Sequence, residues 1–251
     1  MTVVRQAELM IVNDVHSRLN ATRADQVVTV DSLTALCRAV TDARGSHLTV
    51  AGGRHAMGGQ QFGSGSTVLD TRPMARVLGF DQRQGHIEVE AGIQWPELVD
   101  YLLAAQQGRV SQWGIAQKQT GANFFTVGGS VSANCHGRGL TMAPIVHDVE
   151  SLRLVRSDGS VVTCSRQQNP ELFGLVVGGY GLFGAVYSVT PRRLIALPSS
   201  RRVSILITAG CLNHGPTQPA AVICPGRMGV LGRVFPRSSD ALGWVRVPLG
   251  A

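Results

Sequence analysis

No stretch of 18 consecutive apolar residues occurs in the 251-residue chain, so the signature of a membrane-spanning helix is missing. The first ten residues include Arg5 and Glu8 and lack the apolar core of a secretory signal. From these absences a cytoplasmic protein is expected. Cysteines are few and scattered: Cys37, Cys135, Cys164, Cys211 and Cys224 form no CxxC pair. That pattern argues against a disulfide framework and against a zinc site. The body also lacks a charge surplus. Residues 1–191 hold 15 basic and 15 acidic side chains, so the formal charge of +7 comes from residues 192–251, where eight arginines face the single acid Asp240. A general electrostatic attraction of the body to nucleic acid or membrane is therefore not expected.

What is present is strong local patterning up to about residue 197. The β-branched run Val27-Val28-Thr29-Val30 predicts a strand, and Asp31 or Ser32 can cap the helix that follows. Leu33, Leu36, Cys37 and Val40 recur at helical spacing, with Gly45 as the stop. A second strand at 48–51 completes a βαβ unit, whose two strands should run parallel. Further strands are predicted at 67–71 and 86–90, then a helix over 95–107 with Leu98, Val99, Leu102 and Leu103 on its inner face. Strands at 149–155 and 160–164 flank a Ser157-Asp158-Gly159 turn and read as a hairpin. A short helix over 170–177 and a strand at 185–189 follow.

Three segments carry chemistry. The first is Gly52-Gly53-Arg54-His55-Ala56-Met57-Gly58-Gly59-Gln60, directly after a strand. Successive small residues can turn backbone N–H groups toward phosphate oxygens. Neither GxGxxG opening a helix nor GK[ST] is present, so the loop is neither the dinucleotide fingerprint nor a P-loop. An ordinary glycine-rich turn with a surface histidine has the same local signature. The second is TVGGSVSANCHGRG, residues 126–139, where small residues let a short helix or turn lie flat against a ligand. Its N-terminal amides could face phosphate. Cys135 and His136 are sequence neighbours whose side chains point apart, which argues against a Cys/His nucleophile. The third segment is NPELF at 169–173 followed by GGYGLFGAV at 178–186.

Together, in this order and spacing over roughly residues 20–195, these segments resemble the flavin-dependent oxidoreductases of the vanillyl-alcohol oxidase / p-cresol methylhydroxylase family. The resemblance implies an α+β, two-subdomain FAD-binding domain of the p-cresol methylhydroxylase type. By match to its motifs, Gly53, Arg54, Ala56, Met57, Gly58 and Gly59, with His55 and Gln60 in the same loop, are expected around the pyrophosphate. Thr126, Gly128, Gly129, Ser130, Asn134, His136 and Gly137 are expected along the rest of the flavin, and Gly184 and Val186 on the ribityl and adenine side. His55 matches the histidine that, in alditol oxidases, aldonolactone oxidases and cytokinin dehydrogenases, bonds to the flavin's 8α-methyl carbon. The implied reaction is oxidation of a small molecule by hydride transfer to flavin N5. The aspartate of cytokinin dehydrogenases aligns near Gly121, which cannot act as a base, so CH–OH oxidation is the preferred chemistry; no catalytic base is assigned.

Beyond the resemblance the pattern changes. Six of the eleven prolines fall in residues 192–251, and no period of 3.6 or 2 is sustained there; 203–208 could form an isolated strand. The organisation expected from sequence is a lead-in over 1–22, the FAD domain over 23–195, and an irregular Arg/Pro-rich tail over 196–251. We expect that tail to be an aberrant reading frame, which would leave the chain a truncated domain lacking the family's substrate cap. An alternative reading is a catalytically inactive FAD binder, or a protein whose tail contacts nucleic acid or acidic partners.

Overall fold

The computed structural model describes residues 10–115, 123–136, 143–192, 194–198, 222–224 and 227–229. Two units share one core, and the class is α+β as expected. The first unit opens with a short antiparallel pair, β1 (Met10–Val12) and β2 (Thr22–Ala24). Then come β3 (Gln26–Thr29), α1 (Leu33–Asp42), β4 (Leu48–Ala51) and β5 (Thr67–Asp70). Ser32 is the helix cap, its hydroxyl accepting the Ala35 N–H at 3.2 Å; such a cap contributes about 1 kcal/mol. β3 and β4 are parallel, as the βαβ reading requires, but β5 lies between them and pairs with both. Alternation along these strands divides the side chains between two faces. Val28, Val50 and Leu69 pack toward Leu36 and Val40 of α1, whereas Val27, Val68 and Ala51 pack toward Val12, Ala24 and Phe62.

The second unit contains β6 (Val77–Asp81), β7 (His86–Glu90), α2 (Trp95–Ala105), β8 (Ser111–Ile115) and α3 (Val127–Ser132). It continues through β9 (Val149–Val155), β10 (Val161–Ser165), α4 (Pro170–Val176), β11 (Ala185–Pro191) and β12 (Leu194–Pro198). An antiparallel sheet of order β10-β9-β11-β7-β6 carries α2, α3 and α4 on one face, through Leu98, Leu102, Val127, Val131, Phe173 and Val176. The β9–β10 hairpin is the one expected from the Ser157-Asp158-Gly159 turn. Leu103 departs from expectation: it is 49 % exposed, because the inner face of α2 is filled by Trp95, Leu98, Val99 and Leu102. Val155, Ala185 and Tyr187 of the second unit join Val30, Leu36, Val40 and Leu69 of the first in one buried cluster, which joins the two units. In the tail, β13 (Val222–Cys224) pairs with β14 (Arg227–Gly229); the expected strand at 203–208 lies outside the described residues.

Candidate functional site

The cleft lies where the two units meet, is open along one side and has a cavity volume of about 250 Å³. Its walls are the loop after β4, the start of α3, and the loop entering β11. Among the residues expected from sequence, Gly53, Arg54, His55, Ala56, Gln60, Thr126, Gly128, Gly129, Gly184 and Val186 line it. Met57, Gly58, Gly59, Ser130, Asn134 and His136 do not. Met57 is 62 % exposed, Ser130 is buried within α3 with its hydroxyl donating to the Thr126 carbonyl at 3.0 Å, and the Asn134 side chain accepts the Val146 N–H. Gly137 lies outside the described residues. Cys135, Tyr180 and Gly181, within the second and third segments, also line the cleft, as do Gln61, Thr71 and Phe125, which had no distinguishing sequence signal because long-range packing places them there.

On the first wall, none of the backbone N–H groups of the cleft-lining residues 53–56 donates to another described residue. Amides left free beside a cleft can take an anion. The glycines of this loop have a second purpose that sequence did not reveal. A Cβ at Gly52 would collide with the Thr126 side chain, and one at Gly53 would lie 2.5 Å from the Phe124 carbonyl oxygen. The close approach is therefore to the neighbouring protein wall as well as to a ligand.

The second wall corrects an expectation. The N-terminal amides of α3 do not face the cleft unpaired: Val127 N–H donates to the Ile93 carbonyl at 2.9 Å, Gly128 to Ala91 at 2.8 Å, and Gly129 to the Thr126 hydroxyl at 3.2 Å. Spending those donors inside the protein docks α3 against the end of β7. A Cβ on Gly128 would lie 2.6 Å from that of Ala91, so glycine is needed for the docking. What α3 offers to the cleft is a flat surface of small residues.

His55 lies at the lip of the cleft between two rings, with centroid separations of 4.8 Å to His16 and 4.8 Å to Phe125. Burial pushes its pKa down, the charge of His16 adds to that, and the Phe124 carbonyl opposes both; the net value is about 4. The ring is therefore neutral at pH 7 and keeps a lone pair. Arg54 adopts φ +59° and reaches Asp70 at 3.3 Å. Asp70 is buried, and although burial pushes its pKa up, bonds from Arg72 hold it below the ordinary carboxylate range.

The residues present fit a phosphate-bearing cofactor with polar ring edges. Besides the unspent amides, Arg54 Nε and both amide atoms of Gln61 are buried without a partner among the described residues, and both residues line the cleft. Buried polar groups are rarely left unpaired, so their clustering on one cleft wall marks a place for a polar ligand.

Residues 24–165 match the FAD binding domain family. The chain is 33 % identical over 170 residues to an uncharacterized oxidoreductase of the fasciation locus of Rhodococcoides fascians, covering 66 % of this chain and 36 % of that protein. It is 32 % identical over 147 residues to cytokinin dehydrogenase 1 of Arabidopsis thaliana, covering 56 % and 24 %. It is 34 % identical over 117 residues to the mitochondrial L-galactono-1,4-lactone dehydrogenase 1 of Oryza sativa subsp. japonica, covering 47 % and 19 %. The matched region thus spans about a third or less of these relatives' lengths. No helix among the described residues is long and apolar enough to cross a membrane. The chain belongs to the FAD binding domain family of flavin-dependent oxidoreductases, and its cofactor is FAD.

Proposed function

We propose that this FAD site serves the oxidation of a CH–OH group of a small molecule, with His55 as a covalent anchor for the flavin. The observation that carries the reading is the pairing, on one loop, of unspent amides at residues 53–56 with a neutral histidine at the cleft lip. The amides would hold the pyrophosphate, Arg54 would add charge, and the small-residue face of α3 would lie along the flavin. When bound, the flavin supplies hydride acceptance at N5; the protein binds it, orients it and excludes water. His55 would hold the flavin covalently through a ring nitrogen at the cofactor's 8α-methyl carbon. A tethered cofactor does not dissociate between turnovers.

The preference for CH–OH over amine oxidation rests on Gly121, which carries no carboxylate at the position where cytokinin dehydrogenases hold theirs. One of the similar proteins is an L-galactono-1,4-lactone dehydrogenase, named for a hydroxyl-bearing small molecule. The test is direct. Purified protein should show flavin absorption in the visible range, and flavin should stay in the pellet after acid precipitation. A His55→Ala variant should release it to the supernatant while still binding FAD reversibly. Flavin that extracts completely from the unaltered chain overturns the anchor, and a colourless protein that ignores added FAD overturns the site.

A further inference from the structure

Residues 13–20 precede the family match, which starts at residue 24, yet they are built onto the lip of the cleft. The segment closes on itself around Asp14. The Asp14 carboxylate accepts the backbone N–H groups of His16 at 2.9 Å and Ser17 at 2.6 Å, the Ser17 hydroxyl at 2.8 Å and the Asn20 amide at 3.1 Å. Two bonds then fasten it to the cofactor loop: Val15 N–H to the Arg54 carbonyl at 3.0 Å, and Asn20 Nδ2 to the Met57 carbonyl at 2.5 Å. Between these attachments, His16 Nε2 lies 2.7 Å from His55 Nδ1.

We propose that His16 is the positioning residue for His55: the contact of its Nε2 with His55 Nδ1 ties the two rings by one hydrogen bond and fixes one tautomer and one ring plane at the lip of the cleft. Two neutral imidazoles in contact share a single proton along the contact, so one ring must donate and the other accept.

The charged groups nearby leave this arrangement undisturbed. The Asp14 carboxylate is committed to its own turn, and the Arg54 guanidinium is drawn toward Asp70. Phe125 closes the other face of the ring. The result is a neutral imidazole held in one orientation, preorganised next to the cofactor loop. Its consequence for the flavin rests on the proposed role of His55; the arrangement of the two rings does not.

The test uses the purified full chain with ¹⁵N-labelled histidine, reading the ring nitrogens of His55 across pH. His16→Gln keeps a hydrogen-bonding amide, and His16→Phe keeps a ring but removes the hydrogen bond. The unaltered chain and His16→Gln should both show His55 as a single tautomer down to about pH 4. His16→Phe should show averaged tautomers and a midpoint raised by about one unit toward the ordinary value. Asn20→Ala, which loosens the segment without touching either ring, should move the spectrum the same way by less. Identical His55 spectra in the unaltered chain and His16→Phe overturn the proposal, as does a mixed tautomer in the unaltered chain. Acid extraction of flavin from the same samples is a separate readout: complete extraction from the unaltered chain removes the covalent anchor and leaves the tautomer result to decide the role of His16.

Discussion

Gly53→Ala tests whether the cofactor loop is held by its neighbouring wall. The added methyl would lie 2.5 Å from the Phe124 carbonyl oxygen and 2.8 Å from His55 Cδ2. Carbon–oxygen contacts ordinarily begin near about 3.3 Å, so the overlap is about 0.8 Å. Neither neighbour can simply rotate away. The carbonyl is engaged by Gln94 Nε2 at 2.9 Å, and the ring is held between His16 and Phe125. Relief requires the loop to lift from residues 124–126, and overpacking of this kind costs about 1–3 kcal/mol. If all of that falls on the bound state, FAD affinity drops by about 5- to 150-fold. The measurement is FAD titration by fluorescence in a His55→Ala background, where no covalent bond hides the affinity and the carbonyl clash persists. Gly45→Ala is the control: nothing lies within 4 Å of its Cβ, and its φ of +85° penalises any side chain. It should lower Tm with no change in affinity. Gly53→Ala binding FAD as tightly as its parent would refute the reasoning.

Three further outcomes follow from other parts of the fold. Asp14 and Asp70 both have folded-state pKa values below the ordinary range, so the unfolded chain binds their protons at higher pH than the folded one; stability is fully present above about pH 5 and lost as pH falls below about 4. Thermal melts across pH 2.5–6 should show this fall, with a shallower slope in Asp70→Asn. Glu90 is fully buried and held by Arg76 at 2.7 Å and Tyr187 at 3.3 Å; Arg76→Met should lower Tm sharply, and adding Glu90→Met should recover much of the loss. Gln61→Met removes two buried, unpartnered polar atoms and should raise the stability of the flavin-free chain by about 1–3 kcal/mol while weakening FAD binding, read by melts and titration on the same samples.

The contrast between Gly53 and Val127 shows how far sequence could reach. The run at 52–59 is rich in small residues, and the amides of its cleft-lining residues 53–56 have no acceptor among the described residues, whereas Gly59 N–H donates to the Ala56 carbonyl. The α3 amides have a similar composition and a different fate, because the carbonyls of Ile93 and Ala91 consume them. Those carbonyls are more than 30 residues away, and no local pattern records the pairing. Element order shows the same limit. The β3–α1–β4 unit was legible from β-branched runs, helical spacing and Ser32, but the insertion of β5 between its strands was not. β6 and β8 also escaped detection: Val77-Leu78-Gly79-Phe80-Asp81 has no clean alternation, and Ser111-Gln112-Trp113-Gly114-Ile115 contains a single β-branched residue.

His55 is the point at which these separate limits meet. Its loop and residue type were visible in the sequence, and they suffice to name it as a candidate anchor. Its state was not visible, since three contacts remote in sequence define it: His16, 39 residues upstream, and Phe124 and Phe125, about 70 residues downstream. Each contact acts on a different property of the ring. Phe125 closes one face of the ring, the Phe124 carbonyl opposes the lowering of its pKa, and His16 meets Nδ1 at 2.7 Å. A histidine in the same loop without these three would rotate freely, exchange tautomers and titrate near pH 6.5. The motif therefore identifies the residue, whereas the upstream segment and the second wall determine its protonation and orientation. Substitutions at residues 13–20 should consequently change the chemistry of the site without changing the motif by which it is recognised.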